Sequence, residues 1–254
     1  MRLAIFSAFP QEINQLVRSF RPAEKSERHS LVLYFARYFS REIVVVQTGM
    51  GAENTEAALK YVVKDYSPDF LLSVGFGGAL YDGASAGDII CAGRVFLIPE
   101  NIAKGSAADR VKLDSEEIPN AAAIVSRLSD RIQIHEGCIL TLERHMVKTA
   151  IRKILPVDLS FPVCDMETYF LARLAKETGL PFLGLRAITD RAHEEIPIEL
   201  LRVTDESGKY RLSLAMRLIL SRPKIIRHIF RIGKNARIAS INLSHAVRSL
   251  IEIL

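Results

Sequence analysis

Three acidic residues sit at positions where chemistry is plausible: Glu12, Glu167 and Asp190. Each follows an apolar run that reads as a buried strand, RLAIFSA (2–8), FPVCDM (161–166) and LPFLGLRAIT (180–189) respectively. Ligands of open α/β sheets bind beyond the carboxyl ends of the strands. Carboxylates there can move protons, bond hydroxyls or stabilise developing positive charge. Two glycine-rich stretches, Gly49-Met50-Gly51 and Gly75-Phe76-Gly77-Gly78, end two further runs, EIVVVQTG (42–49) and DFLLSVGFGGAL (69–80). They read as tight turns that need positive φ. Taken one at a time, these features have structural explanations. A carboxylate suits a helix N-terminus, and a glycine turn can simply join a strand to a helix. Their convergence at five strand ends is what favours a pocket.

Other chemistries fit less well. GFGGAL has Leu80 where a G-x-G-x-x-G loop needs its last glycine, and no G-K-[ST] occurs, so neither a dinucleotide fold nor a P-loop is supported. The six His show no metal-ligand spacing, and no metal site or cofactor is expected. The three cysteines, Cys91, Cys138 and Cys164, are odd in number with no C-x-x-C pair, which suits a reduced, cytoplasmic protein with buried thiols. The first apolar run stops at Pro10-Gln11-Glu12, unlike a signal peptide. No apolar run is long enough to span a bilayer.

The elements that must position these residues alternate between strand and helix. PQEINQLVRSF reads as a helix with Pro10 in its first turn. Residues 31–39 and 42–49 read as a hairpin rich in β-branched and aromatic residues. A helix follows Gly51, and strands are expected at 69–80, 87–98 and 132–142. Residues 100–118 read as a polar loop and 119–130 as a helix. ERHMVKTAIRKIL (143–155) and ETYFLARLAKETG (167–179) read as helices. The alternation predicts one α/β domain over residues 1–205 with a mixed central sheet. A basic helical extension follows over 206–254. From Gly208 onward there are ten Lys/Arg and one acid, Glu252, while the body before it carries a net charge of −4.

In combination these segments resemble the nucleoside phosphorylase and nucleosidase superfamily over residues 1–192. RLAIFSAFPQEI is similar to the first strand and acidic turn of the methylthioadenosine/S-adenosylhomocysteine nucleosidases. VVVQTGMGAENTEAAL, VGFGGALYDGASAGDII and CDMETYFLARLAKETGLPFLGLRAITDRA resemble three further family segments, the last being the most specific. The resemblance implies a three-layer α/β/α fold and cleavage of a purine nucleoside through an oxocarbenium-like transition state. It makes Asp190 the acid that protonates the departing base and Glu12 the residue that orients the attacking water. Glu167 would bond the ribose hydroxyls, with Met166 packed under the sugar. Met50, Phe76, Gly77, His145, Met146, Cys164 and Thr189 would complete the substrate pocket, and Arg186 receives no catalytic role. The family's phosphorylases hold phosphate with arginines and a hydroxyl. Here the matching positions are Ser73 and Phe76, and Glu12 would repel a dianion, so hydrolysis is expected over phosphorolysis. Asp190 can both donate to a purine ring nitrogen and accept from an exocyclic amine, which suits adenine. The resemblance also implies a homodimer.

The tail adds a separate expectation. Leu212, Ala215, Met216 and Ile219 keep helical spacing, and Lys224, Arg227, Arg231 and Lys234 form a basic stripe beside Ile225, Ile226, Ile229 and Phe230. Two or three helices are expected, broken before Pro223. The stripe suits either a solvated face or peripheral contact with an anionic membrane. Large aliphatics instead of stacking aromatics, on an acidic body, argue against nucleic acid. RPKIIRHIFRIGKNARIASINLSHAV resembles the C-terminal segment of hopanoid-associated members of the superfamily. That implies a nucleoside linked to lipid, such as adenosylhopane, with methylthioadenosine, S-adenosylhomocysteine or a futalosine-type nucleoside as alternative substrates and a non-catalytic nucleoside- or membrane-binding protein as the alternative of another class.

Overall fold

Strand β1 (Arg2–Ser7) shows how the chain builds its sheet. Leu3 and Ile5 enter the apolar core on one face, and Ala4 and Phe6 enter a second core on the other. A strand buried on both faces has no polar alternation, which is why RLAIFSA reads as a continuous apolar run. The computed structural model describes residues 1–28, 31–104, 113–155, 158–195, 221 and 225–254.

After β1 come α1 (Pro10–Phe20), β2 (Glu24–Arg28), β3 (Leu31–Tyr38), β4 (Arg41–Gln47) and α2 (Ala52–Tyr66). Next are β5 (Phe70–Ala79), β6 (Ile89–Ile98), β7 (Ser115–Glu117), α3 (Ala121–Leu128), β8 (Ile134–Leu142) and α4 (Lys148–Ile154). The described elements close with β9 (Val163–Asp165), α5 (Thr168–Thr178), β10 (Phe182–Asp190) and α6 (Ile225–Ile253). The sheet is mixed. β1 runs parallel to β4 and β5, and β5 runs parallel to β10. The hairpin expected at 31–49 forms as antiparallel β3–β4, extended outward by β2. β10 also pairs antiparallel with β6, β6 parallel with β8, β8 with β9, and β9 antiparallel with β5. These five strands therefore close on themselves, and the open part of the sheet runs from β5 through β1 to β2.

Helices cover both faces, giving the α/β class expected. α2 and α5 pack together over Ala4, Phe6, Val44, Val46 and Leu71. α1 and α6 pack together on the opposite face, where α6 also meets β10. Leu243, Ala246, Val247, Leu250 and Ile251 of α6 belong to the main core. The Leu, Val and Ile side chains among them contribute about 1.5–3 kcal/mol each on burial, so this part of the tail is integral to the folded body.

Three expectations change. The glycines Gly75, Gly77 and Gly78 lie within strand β5, not in a turn, and none has a positive φ. They serve close approach: an added Cβ on Gly78 would meet Lys148 Cε at 2.8 Å and Asp190 Oδ2 at 2.9 Å. The positive-φ reading does hold at Gly49 (80°) and Gly51 (90°). The segment 100–118 is not all loop: it contains a 3₁₀ turn at Glu100–Lys104 and strand β7, which pairs with β6. From Ile225 the tail is one 29-residue helix. The residues on which further tail helices were expected, Leu212 to Ile219, lie outside the described residues, as does Lys224. No helix among the described residues is long and apolar enough to cross a membrane.

Candidate active site

Glu12 sits in the first turn of α1, where the chain leaves β1. Its carboxylate is held by three donors. Oε2 accepts from Ser7 Oγ (2.6 Å) and the Phe9 amide (3.0 Å), and Oε1 accepts from the Phe76 amide of β5 (2.8 Å). The bond to Phe9 satisfies an otherwise unpaired amide at the helix start, so capping and site geometry share one side chain. The missing Cβ of Gly75 leaves room for Glu12 Oε1, which would lie 2.8 Å from it.

Glu167 faces Glu12 across the strand ends. Its Oε1 accepts the Gly51 amide (3.1 Å) and its Oε2 the Met166 amide (3.3 Å). The Gly49–Gly51 turn is thereby tied to the start of α5. Burial, reinforced by the nearby charges of Asp165 and Glu12, raises the Glu167 pKa to about 8, against the opposing pull of Arg186 and the Gly51 amide. Met50, at the centre of this turn, is 38% exposed. Ser7, Glu12, Thr48, Ser73, Glu167 and Arg186 line a cavity of about 10 Å³, close to the least volume that holds one water. A larger cavity of about 280 Å³, lined by Arg2, Phe35, Glu42 and Tyr66, lies at the opposite end of the strands, away from the converging acids.

Asp165 answers a different need from its neighbour. It accepts from Thr141 Oγ1 (2.6 Å), the Thr168 amide (3.1 Å) and the Thr168 hydroxyl, and it pairs with Arg186 through Nη2 (2.7 Å) and Nε (2.8 Å). Arg186 also donates to Ser73 Oγ (2.9 Å) and the Leu185 carbonyl (2.9 Å). Both side chains are buried and saturated, so this pair fastens β5, β8, β9 and β10 beneath the pocket. Arg186 is thus enclosed and engaged by protein acceptors on three elements of the sheet.

Asp190 ends β10 opposite Gly78, after a register shift between Ile188 and Asp190. Such a bulge re-aims the following side chain. Asp190 Oδ1 accepts from Thr189 Oγ1 (2.7 Å), and Oδ2 is in contact with the Lys148 ammonium. The bulge is held from outside by α6, where Asn235 Nδ2 donates to the Thr189 carbonyl (2.8 Å). Cys164 lies against Gly78, donating to its carbonyl at 3.4 Å. Burial, with the Asp190 charge adding to it, pushes its thiol up to about 12, so it acts here as an uncharged packing group.

His145 and Met146 precede α4. His145 is half-buried, and burial lowers its pKa, with Glu195 and Asp190 opposing the shift. Met146 packs beside Leu80, Leu140 and Ile151. The structure thus groups Glu12, Glu167, Phe76, Met166 and the 49–51 turn around one centre. Asp190, Thr189, Gly78 and Cys164 form an adjoining one, with Gly77 packed on Arg186 between them.

Lys148 and Asn235 were not singled out in the sequence. Lys148 resembles any other base in a Lys/Arg-rich segment. The usable signal is a cation in the first turn of a helix, where the backbone dipole disfavours it. Asn235 carries no local signal.

A mixed sheet wrapped by helices on both faces, with carboxylates gathered at its strand ends, has the architecture of an α/β small-molecule enzyme. The chain belongs to the phosphorylase superfamily, whose family model matches residues 2–219. Among curated relatives, the 5′-methylthioadenosine/S-adenosylhomocysteine nucleosidase of Shewanella halifaxensis is 20% identical over 228 residues, covering 86% of this chain and 99% of that protein. The aminodeoxyfutalosine nucleosidase of Campylobacter jejuni is 23% identical over 231 residues, covering 86% and 98%. Among solved structures, the Neisseria meningitidis 5′-methylthioadenosine/S-adenosylhomocysteine nucleosidase in complex with methylthio-immucillin-A superposes with a TM-score of 0.72. It has 18% identity and covers 100% of this chain and 99% of that one. The futalosine hydrolase of Helicobacter pylori superposes at 0.70, with 17% identity and coverage of 100% and 98%.

Proposed function

We propose that this protein is a purine nucleosidase that cleaves the N-glycosidic bond of a 5′-substituted adenosine, with water as the acceptor. The observation that carries the reading is the Glu12–Phe76 bond. A phosphate acceptor requires free amides and cations near the sugar. Here the Phe76 amide is taken by the Glu12 carboxylate, and Arg186, which lines the same cavity as Glu12, is spent on Asp165, Ser73 and Leu185. Glu12 orients the water and takes its proton. Glu167 bonds the ribose hydroxyls, and the Glu12 carboxylate stabilises the oxocarbenium-like sugar. Asp190 protonates the imidazole-ring nitrogen so that the base does not leave as an anion. The half-buried His145, held towards its neutral form, offers a ring for the base to rest on. The named relatives, nucleosidases of methylthioadenosine, S-adenosylhomocysteine and aminodeoxyfutalosine, support the substrate class.

For the 5′ substituent we favour a long apolar group, as in adenosylhopane. Its support is the resemblance of the tail and the outward face of α6. Arg227, Phe230, Lys234, Arg237 and Ile241 follow one another at helical spacing, with Phe230 75% and Ile241 47% exposed. A stripe of cations interleaved with apolar side chains suits an anionic lipid surface. The test is adenine release from an adenosine bearing a long apolar 5′ chain, beside methylthioadenosine, with and without phosphate. Release of the long-chain substrate without phosphate supports both parts. Release only from methylthioadenosine removes the lipid part, and strict phosphate dependence removes hydrolysis. Binding to anionic vesicles that weakens with salt, and is lost in R227E/K234E/R237E, is the matching physical test. Binding indifferent to salt counts against the surface.

A further inference from the structure

We propose that Lys148 is the positioning residue for Asp190 and the source of the proton that Asp190 passes to the base. This rests on the nucleosidase reading above.

Lys148 begins α4, yet its side chain is buried beneath the end of β10. Its Nζ touches Asp190 Oδ2 and donates to the carbonyls of Asp190 (3.0 Å) and Arg191 (2.7 Å). Three acceptors match the three N–H groups of an ammonium, whereas a neutral amine has only two. Gly78 leaves the space this contact needs, since a Cβ there would collide with both partners. Glu195, from the segment after β10, accepts the amides of Lys148 and Thr149 (each 3.2 Å) and so locks the start of α4 to the same segment.

This arrangement raises a question of proton supply. Asp190 Oδ2 is occupied by the Lys148 Nζ, so a proton that Asp190 passes to the base must be replaced. Three other described titratable groups near the pair are unsuited to supply it. Cys164 is a buried thiol raised to about 12. His145 is held towards its neutral form. Glu195 is engaged with backbone amides. The remaining proton is on Lys148.

The step then balances. The N-glycosidic bond breaks with its electron pair leaving on the base. The ring nitrogen takes a proton from Asp190, and Asp190 takes one from the Lys148 ammonium, which becomes an amine. The water oxygen adds to the sugar carbon and its proton passes to Glu12, which releases it to solvent, while solvent returns a proton to Lys148. Oδ1, held among the described residues by the rotatable hydroxyl of Thr189, is the oxygen that can turn to the base.

The experiment compares wild type, K148M and K148R on a purine nucleoside and on nitrophenyl riboside across pH. The nitrophenyl group departs as a stable anion and needs no acid. K148M should lose about 100-fold or more on the purine nucleoside at neutral pH. It should recover as the pH falls and solvent protonates Asp190 directly. On nitrophenyl riboside it should lose less than about tenfold. K148R keeps the charge, but a guanidinium does not give up its proton, so its profile should follow that of K148M. Three results overturn the proposal: K148R at the wild-type rate, K148M parallel to wild type at every pH, or equal loss on both substrates. Wild type that cleaves nitrophenyl riboside but no purine nucleoside defeats the purine reading instead.

Discussion

Glu12 Oε1 accepts the backbone N–H of Phe76 at 2.8 Å, joining the first turn of α1 to the middle of the glycine-rich strand β5. A carboxylate on that amide leaves no donor there for a second anion.

Adenine release should therefore be insensitive to added phosphate. E12Q should keep substrate binding but lose about 10²–10⁴-fold in kcat, the usual contribution of a general base. Steady-state kinetics with and without phosphate check both. Phosphate stimulation of wild type would contradict the assignment.

The raised pKa of Glu167 predicts a pH trend in stability. The folded state holds this proton to about pH 8, whereas the unfolded chain releases it near 4.5, the ordinary value of a glutamate. Between these values the native state binds more protons, so stability falls as pH rises. The contribution is fully present below about 4.5 and lost above about 8. Urea denaturation across this window should show the decline, and E167Q should flatten it.

Breaking the Asp165–Arg186 pair strands a buried charge. R186M should destabilise the fold by about 3–5 kcal/mol, because Asp165 loses two of its donors while remaining enclosed. Chemical denaturation measures this directly. A change below about 1 kcal/mol would mean that the pair is not the fastening it resembles.

Asn235 acts at a distance from the pocket. N235A removes one hydrogen bond to the Thr189 carbonyl, worth about 1 kcal/mol. If the bulge aims Asp190, kcat should fall several-fold with KM nearly unchanged and the melting temperature only slightly lower. A fall in the melting temperature alone would make the contact merely structural.

The body of the fold was legible because burial on both faces writes long apolar runs into the chain, and helices write amphipathic ones. Glu12, Glu167 and Asp190 stood out for the same reason: an acid is conspicuous at the end of a buried strand. Other features depended on contacts between residues far apart in sequence. Asp165 and Glu167 are two residues apart, yet only the tertiary structure distinguishes the Arg186 partner from the pocket-facing carboxyl. Gly75, Gly77 and Gly78 looked like a turn because sequence records a missing side chain but not its cause. Here the cause is the approach of Glu12, Arg186 and Lys148 to a straight strand. Residue types and spacing determined the class of sheet and the three acids at its strand ends. Which acids are paired, which amide each one takes, and how Lys148 and Asn235 reach Asp190 and its bulge were decided by tertiary packing, because hydrogen bonds and charge pairs act through space, not along the chain.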